Sequence, residues 1–317
     1  MYDVIALGEL LIDFAALSAD GEGYPTMAAH PGGAPANFLA AVNKFGGKTA
    51  LIGKVGNDTF GHLLLKTLEG SGIDTRGMKL TDDFFTTLAF VSFDEHGDRS
   101  FAFSRKPGAD TQLSFEEIDL SMIDNTRVFH FGTLSLTHEP AKTATMKAVE
   151  YAKSKGKLIS FDPNLRPPLW ARLDDAKTQM EWGLKQADVV KISDEEVEFL
   201  WQLSPEEGAD KLLRDYGVKL AYVTCGAEGC VYKNALCKGR VPGMQGLNVI
   251  DTCGAGDIFG GSAMWKLLQS AKAPEMLEDT ELYDIVHFAC TAAGLSTQRS
   301  GGISSIPAPE EVLEAIS

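Results

Sequence analysis

Asp251-Thr252-Cys253-Gly254-Ala255-Gly256-Asp257 is the stretch on which the interpretation of this 317-residue chain depends. An apolar run typical of a strand precedes it at 247–250, and a helical apolar pattern follows it at 258–268. Two glycines between a strand and a helix let several backbone N–H groups converge at the positive end of the helix, where a phosphate binds well. The carboxylate of Asp257 then either caps the helix or accepts a proton from a group beside the phosphate. Taken alone, the stretch also fits an ordinary glycine-rich turn, so the choice depends on the other motifs.

The composition excludes several classes of protein. The hydrophobic fraction of 44% and the charged fraction of 23% are those of a globular protein. A net charge of −15 argues against a nucleic-acid partner and against an anionic membrane surface, although local amides can still hold a nucleotide. Five cysteines without zinc or disulfide spacing indicate a reducing compartment, and the N-terminus has a strand pattern instead of a basic leader. Since no apolar run is long enough to span a bilayer, we expect a cytoplasmic protein.

Alternating strand and helix patterns define the predicted fold. Apolar runs typical of buried parallel strands lie at 4–7, 49–55, 128–131, 158–161, 189–192 and 220–224. Helical patterns lie at 35–45, 60–68, 141–155, 176–186, 195–201 and 206–216. This alternation predicts one α/β domain over 1–317, with a doubly wound, mostly parallel sheet between two helical layers. Residues 9–14 continue the first strand, and residues 18–31 are rich in Gly, Pro and small polar side chains.

A hairpin interrupts this alternation. Residues 86–93 and 99–105 alternate apolar and polar side chains around Glu95-His96-Gly97-Asp98, a pattern typical of a hairpin with one solvated face. Because its character differs from that of the buried strands on either side, we expect it to form a small antiparallel addition to the main sheet.

Polar residues follow several of the predicted strands. Asp13, Asp162-Pro163-Asn164, Ser193 and Thr224-Cys225-Gly226 each come after a strand run. Ligands of doubly wound sheets collect at the carboxyl ends of the strands. We therefore expect these residues to share one rim with the 251–257 turn.

Several separated stretches share one resemblance. Gly32-Gly33-Ala34-Pro35-Ala36-Asn37 and the 251–257 turn resemble the two signatures of the ribokinase-like (PfkB) sugar kinases. Further similar stretches are 53–58, 161–166 and 190–196. Within this family, the residues at 8–14, 107–110 and 166–170 are most similar to those of the fructokinases. Motifs that occur in order along the whole chain are far more specific than one glycine pattern, and the resemblance implies the ribokinase-like three-layer fold.

The resemblance implies a reaction, the transfer of the ATP γ-phosphate to a sugar hydroxyl by a phosphotransferase. Asp257 matches the residue that accepts the hydroxyl proton, and the helix N-terminus is expected to keep this carboxylate ionised. The amides of Gly254, Ala255 and Gly256 would face the transferring phosphoryl oxygens. The fructokinase branch implies D-fructose as the acceptor and fructose 6-phosphate as the product, although no residue identifies a ketose directly.

The predicted substrate-binding residues are Asp13, Gly32, Gly33, Asn37, Arg105 and Arg166. Of these, Asp13, Gly33 and Asn37 match the family's positions for sugar hydroxyls, and Arg166 matches a position near the phosphates and the substrate. A carboxylate and a carboxamide exchange hydrogen bonds with vicinal hydroxyls, and Gly33 leaves room for the ring. Arg105 would reach over the sugar from the hairpin, and Arg166 suits phosphate charge. Structural roles are the alternative: an early helix residue for Asn37, a turn for Asp13, and exposed side chains for both arginines.

The resemblance also implies the ligands of the nucleotide and of the metal ions. The nucleotide positions are Asn164, Glu196, Thr224 and Gly226. Glu196 matches the acidic residue of an Asn-x-x-Glu motif linked to Mg²⁺ and phosphate, but Ser193 replaces the Asn and could instead cap a helix. The positions that match a K⁺ site in many relatives are Asp251, Cys253, Ser296, Gly301 and Ser305. ATP, Mg²⁺ and K⁺ are therefore the implied cofactors.

A small β lid over the sugar is also implied, built from insertions at about 14–34 and 84–106. Such a lid would exclude water from the reaction. In relatives the lid often forms a dimer interface. An exposed apolar face with Phe90, Phe101 and Phe103 would need a partner, so we expect a homodimer through the lid.

Three other interpretations remain open at this point. Within the family, the acceptor would be 2-keto-3-deoxygluconate or a ribosyl-imidazole instead of fructose. A dinucleotide-dependent oxidoreductase would need a G-x-G-x-x-G after the first strand, which the sequence lacks. A non-catalytic sugar sensor is disfavoured because Asp257 and the glycines before it are retained.

Overall fold

Parallel strands form the centre of the molecule. The computed structural model describes residues 1–93 and 99–316. The strands in these ranges are β1 (Tyr2–Leu7), β2 (Leu11–Ala19), β3 (Pro25–Gly32), β4 (Thr49–Gly56), β5 (Met78–Thr81), β6 (Leu88–Phe93), β7 (Arg99–Ser104), β8 (Thr126–Gly132), β9 (Leu158–Asp162), β10 (Val189–Ser193), β11 (Leu220–Thr224), β12 (Cys230–Asn234) and β13 (Lys238–Val241). The α-helices are α1 (Ala34–Lys44), α2 (Thr59–Gly70), α3 (Leu120–Asp124), α4 (Ala141–Ser154), α5 (Leu173–Gln186), α6 (Asp194–Trp201), α7 (Pro205–Tyr216), α8 (Ala255–Gln269), α9 (Asp279–Ser296) and α10 (Pro309–Ile316). Among the described residues, no helix combines the length and the apolarity that crossing a bilayer requires.

The main sheet contains nine strands in the order β13-β12-β11-β10-β9-β8-β1-β4-β5. All neighbours from β11 to β5 pair in parallel, whereas β12 and β13 extend the sheet with antiparallel pairs. The carboxyl ends of the parallel strands therefore lie along one edge, which is where ligands of such sheets bind. The predicted doubly wound, mostly parallel fold is confirmed.

Each face of the main sheet is covered by helices. Val4 and Ala6 of β1 lie in the core that includes residues of α1, α8 and α9, whereas Ile5 and Leu7 lie in the core that includes residues of α4 and α7. Successive side chains of one strand thus enter opposite cores. Burial on both faces explains why the parallel strands have continuous apolar sequences.

A second sheet has the order β3-β2-β6-β7. Strands β6 and β7 are antiparallel, with Leu88 opposite Ser104, as expected for the predicted hairpin. The predicted turn at 95–98 lies outside the described residues. β2 pairs with β6 in parallel and with β3 in the antiparallel direction. The sheet is therefore built from two chain segments that are distant in sequence.

Two local features differ from the sequence expectations. Residues 9–14 do not extend the first strand of the main sheet: the chain leaves that sheet after Leu7 and enters the small sheet at Leu11. The apolar run at 247–250 is an exposed loop instead of a strand, with Val249 56% and Ile250 62% exposed. The amide of Ile250 donates to the Thr297 carbonyl at the end of α9, so this backbone has a partner without a neighbouring strand.

Candidate active site

A cavity of about 760 Å³ lies at the carboxyl ends of the parallel strands. Residues of the main sheet, the small sheet and the start of α8 line it together. The sequence-predicted residues among them are Asp13, Gly33, Asn37, Asn164, Arg166, Glu196, Thr224, Gly226, Cys253, Gly254, Ala255, Gly256 and Asp257. Positions far apart in the sequence thus meet in one space.

The N-terminus of α8 opens into this cavity. Gly254 precedes the helix in a left-handed conformation with φ of 74°, which a residue with a Cβ rarely adopts. A methyl group added there would lie 3.0 Å from the Gly302 Cα, so the two backbones approach closely. Among the described residues, no side chain caps this helix end. The positive end of α8 is therefore available to an anion in the cavity.

Asp257 is a helix residue in the first turn of α8 and not its cap. Its side chain is buried, and its Oδ2 accepts a hydrogen bond of 2.9 Å from the Asn37 Nδ2. Burial raises the pKa of Asp257, whereas the nearby Lys191 ammonium and the Asn37 hydrogen bond lower it. The carboxylate is consequently a stronger base than an exposed aspartate.

Asn37 lies in the first turn of α1 and contacts both Asp257 and the loop before α10. Its Nδ2 donates to Asp257, and its carboxamide packs against Gly302. Within the described ranges, its buried Oδ1 has no hydrogen-bond partner. A buried acceptor without a partner is costly, so this oxygen is suited to a hydroxyl donor of a ligand.

Asp13 of β2 forms the small-sheet side of the cavity. Burial raises the pKa of Asp13 to about 7, while Arg166 lowers it and the Asp257 carboxylate raises it further. Gly32 packs directly against the Asp13 carboxylate, where a larger side chain would collide. Gly32 is not one of the residues that line the cavity in the described part of the chain, and its contact orients Asp13 instead.

Arg105 does not lie where the sequence placed it. The expected contact over the sugar requires an arginine that lines the cavity, but Arg105 is 3% exposed and is absent from the described lining. Its Nη2 forms an ion pair of 2.6 Å with Asp110, and its Nη1 donates to the Thr137 hydroxyl at 2.8 Å. The Leu134 carbonyl accepts a further bond from Nη2. The guanidinium is held by these buried partners and therefore does not extend into the cavity.

Glu196 and Ser193 form a capping box at the start of α6. The Ser193 hydroxyl accepts from the Glu196 amide at 3.1 Å, and the Glu196 Oε2 accepts from the Ser193 amide at 2.9 Å. The other oxygen, Oε1, accepts from the Leu165 amide at 2.7 Å. Ser193 therefore has the N-cap role that was its alternative. Both side chains also line the cavity.

The five predicted cation residues are only partly brought together. Cys253 lines the cavity, whereas Asp251, Ser296, Gly301 and Ser305 are not in its described lining. The Asp251 carboxylate accepts from the Cys253 amide at 2.9 Å and from the Gly301 amide at 3.0 Å. Asp251 thus joins the loop before α8 to the loop before α10. The hydroxyls of Ser296 and Ser305 are buried and donate to backbone carbonyls.

Two buried charged residues of the cavity received no role from the sequence. Glu9 accepts a hydrogen bond of 3.1 Å from the Ala34 amide, and burial raises the pKa of Glu9 to about 8. Lys191 of β10 donates to the Asp162 carboxylate at 3.0 Å. A charged residue inside an otherwise apolar stretch of sequence was the available signal for both, because such a residue is rarely buried without a partner.

The sequence model of the pfkB family of carbohydrate kinases matches residues 1–309. A protein named fructokinase-2 from Solanum lycopersicum is 38% identical over 315 residues, which cover 98% of this chain and 94% of that protein. A protein named fructokinase-1 from Zea mays is 39% identical over 317 residues, which cover 99% of this chain and 97% of that protein.

Solved structures are similar over the whole chain. A fructokinase from Xylella fastidiosa with bound ATP has a TM-score of 0.91 at 30% identity, covering 100% of this chain and 98% of that one. A fructokinase from Vibrio cholerae O395, in a form with bound fructose, ADP and calcium ion, has a TM-score of 0.88 at 30% identity, and the match covers 100% of this chain and 99% of that one. A putative ribokinase II from E. coli, in complex with ATP and Mg²⁺, has a TM-score of 0.87 at 28% identity, and the match covers 100% of this chain and 99% of that one.

Proposed function

The chain belongs to the pfkB family of carbohydrate kinases, and from this membership we propose that it transfers the γ-phosphate of ATP to the 6-hydroxyl of D-fructose. That it is a sugar kinase follows from the family and from its fructokinase relatives. The choice of fructose is supported by relatives of that name at 38% and 39% identity over nearly the whole chain. The observation that carries the chemistry is the buried Asp257 beside the uncapped end of α8.

Asp257 accepts the proton of the attacking hydroxyl. The sugar oxygen forms its bond to phosphorus as the bond between phosphorus and the ADP oxygen breaks, and the hydroxyl proton passes to the Asp257 carboxylate. The amides of Gly254, Ala255 and Gly256 stabilise the charge on the transferring oxygens. Stabilisation by preorganised amides is large in a dry cavity, because the dipoles need no reorientation during the reaction.

The sugar binds between the small sheet and α1. Asp13 accepts hydrogen bonds from sugar hydroxyls, and the Oδ1 of Asn37 accepts another while its Nδ2 holds the base. Gly33 has a φ of 117°, and a Cβ there would lie 2.6 Å from the Glu9 carbonyl oxygen, so a side chain at this position would be strained and would collide with the backbone. Arg166 balances the charge of Asp13 and of the phosphate.

The nucleotide binds at Asn164, Glu196, Thr224 and Gly226, which line the other part of the cavity. Glu196 is the residue that would hold Mg²⁺, and the ion would supply neutralisation of the phosphate charge. K⁺ is proposed at the junction of the two loops that Asp251 connects. Related structures contain ATP with Mg²⁺, or ADP with calcium ion, which supports a nucleotide and a metal.

The small sheet acts as a lid and as the interface of a homodimer. Its segments surround the sugar side of the cavity through Asp13 and Phe103. Phe90 is partly exposed and stacks on Phe14 at 5.3 Å, while Leu17 is 59% exposed on β2. Apolar side chains at the surface of a sheet are suited to a partner chain. The side chain of Phe101 lies outside the described side chains.

A panel of acceptors tests this proposal. The purified protein is assayed for ADP release with MgATP and D-fructose, 2-keto-3-deoxygluconate or a ribosyl-imidazole, each with and without K⁺. We expect fructose to give the highest kcat/KM and fructose 6-phosphate as the product. Turnover of either alternative without turnover of fructose would reassign the acceptor within the family.

A further inference from the structure

Lys191 is a partly buried lysine that lines the cavity. It lies on β10 between Val190 and Ile192. The side chains of these two neighbours lie in the core between the sheet and the helices α4 and α7. Its side chain is 13% exposed, and Nζ donates to the Asp162 carboxylate at 3.0 Å. Strand alternation directs Lys191 towards the α8 side of the sheet.

The ammonium lies directly against the first turn of α8. A methyl group added at Gly256, the second residue of this helix, would lie 2.9 Å from the Lys191 Nζ. A cation beside the N-terminus of a helix is unfavourable, because its charge is repelled by the positive end of the helix dipole. A phosphoryl group between them would be attracted by both.

The surrounding carboxylates keep Lys191 charged. Burial alone lowers its pKa, but attraction to Asp162, Glu196 and Asp257 raises it above the ordinary lysine value. These carboxylates lie on three different elements, β9, α6 and α8. The ammonium is therefore a fixed positive charge that interacts with the proposed base Asp257 and with Glu196 of the proposed nucleotide site.

We propose that Lys191 is a catalytic residue that neutralises the phosphoryl group in transit from ATP to the sugar, and that Asp162 is the positioning residue that holds its ammonium in place. The proposal rests on the proposed kinase function. Lys191 forms and breaks no covalent bond. It contacts an oxygen of the group whose bond to ADP breaks while its bond to the sugar forms, and the hydroxyl proton still goes to Asp257.

The alternative is that Lys191 only forms a structural ion pair, and the chain contains a matched control. Lys54 is also 13% exposed, and its Nζ pairs with Glu117 at 2.7 Å. Lys54 is absent from the described lining of the cavity. A lysine-to-methionine substitution removes one ion pair at each position, with a partner that is 32% exposed for Lys54 and 7% exposed for Lys191. Of the two lysines, Lys191 is the one that lies against α8.

The test compares Lys191→Met with Lys54→Met. We expect Lys191→Met to lower kcat by about 100- to 1,000-fold, which is the effect of losing a preorganised charge-stabilising group, while fructose affinity measured by calorimetry is unchanged. We expect Lys54→Met to retain the wild-type kcat. A Lys191→Met enzyme with a kcat within about threefold of wild type would overturn the proposal. A wild-type protein that phosphorylates no sugar would instead refute the proposed function.

A double variant separates chemistry from folding. Lys191→Met alone leaves Asp162 buried without its cation, which destabilises a protein. Lys191→Met combined with Asp162→Asn removes both charges. We expect this variant to fold with near-wild-type thermal stability and to remain as slow as Lys191→Met. Recovery of wild-type kcat in the folded double variant would show that the pair is structural and would also overturn the proposal.

Two variants of Asp162 test its positioning role. Asp162→Asn keeps an oxygen that can accept from Lys191, whereas Asp162→Ala removes it. We expect kcat to follow the order wild type, Asn, Ala, with the KM for fructose unchanged. Equal kcat values for all three enzymes would refute the positioning role of Asp162.

Discussion

Asn37 donates a hydrogen bond of 2.9 Å to Asp257 although 220 residues separate the two in the chain. The bond connects the first turn of α1 to the first turn of α8, and both side chains are buried. One carboxamide thereby orients the proposed base, and its other atom, Oδ1, is a buried acceptor without a hydrogen-bond partner among the described residues. The same side chain therefore fixes the proposed base and carries a proposed acceptor for a sugar hydroxyl.

Asn37→Ala removes this bond and is predicted to lower kcat/KM for fructose by about ten- to a hundredfold, since a hydrogen bond to a charged group contributes about 1.5–3 kcal/mol. The measurement is steady-state kinetics with saturating MgATP. Asn43→Ala, on the same helix, removes bonds to the Gly47 and Gly72 carbonyls and serves as the control. Equal losses in both variants would attribute the effect to the stability of α1.

Asp257→Asn is predicted to lower kcat by about 100- to 10,000-fold, because the amide cannot accept the hydroxyl proton. Fructose affinity, measured by calorimetry without nucleotide, should change little. Near-wild-type turnover with intact sugar binding would eliminate Asp257 as the base.

The pH dependence of kcat/KM follows from two carboxylates. Burial raises the pKa of Asp257 above its ordinary value and the pKa of Asp13 to about 7. Both groups are needed ionised, one to accept a proton and one to accept sugar hydroxyls. Protonation therefore inhibits, and kcat/KM for fructose is predicted to rise as the pH rises through 7. A profile that is flat from pH 5 to pH 8 would contradict both assignments.

Glu9 is predicted to make the protein less stable as the pH rises. Its folded pKa is about 8, above the ordinary value of 4.5, so the folded state binds the proton more tightly than the unfolded state. The favourable contribution is complete below pH 4.5 and is lost as the pH approaches 8. The side chain of a Glu9→Gln variant cannot ionise, so its free energy of unfolding should not show this loss, which is on the order of a few kcal/mol in the wild type. Urea unfolding at pH 4.5 and at pH 8 measures the difference. The exposed Glu22→Gln should leave the pH dependence unchanged.

Arg105→Met is predicted to reduce the free energy of unfolding by about 3–5 kcal/mol, because Asp110 is left buried without its cation. Arg172→Met breaks an exposed pair with Asp174 and should cost less than about 1 kcal/mol. Denaturant unfolding gives both values. A large increase in the KM for fructose at unchanged stability would instead support direct contact of Arg105 with the sugar.

The sequence was sufficient for the six parallel strands β1, β4, β8, β9, β10 and β11 of the main sheet, because their signal is local, whereas β5, β12 and β13 at the two edges were not predicted. Buried parallel strands need continuous apolar runs, and the glycines before α8 allow the chain to enter that helix. The same reasoning predicted a strand at 247–250, where the apolar side chains are exposed instead. Periodicity reports the composition of a segment, whereas a strand also needs a neighbouring backbone to pair with.

The site was harder to predict where a residue's role depends on its partner. A hairpin pattern suggested that Arg105 is exposed, yet Asp110 and Thr137 enclose it. Lys191 was visible as a charge in an apolar strand, but its position against Gly256 depends on the packing of β10 against α8. Such contacts between distant segments are not encoded in local spacing.

The small sheet contributes to only one part of the cavity. Asp13 belongs to it, whereas Glu196, Thr224 and Gly226 belong to or follow elements of the main sheet. Substitutions in β2, β3, β6 and β7 can therefore alter the acceptor without altering the nucleotide site. On the proposed function, the acceptor range of the protein could therefore be engineered separately from its use of the phosphate donor.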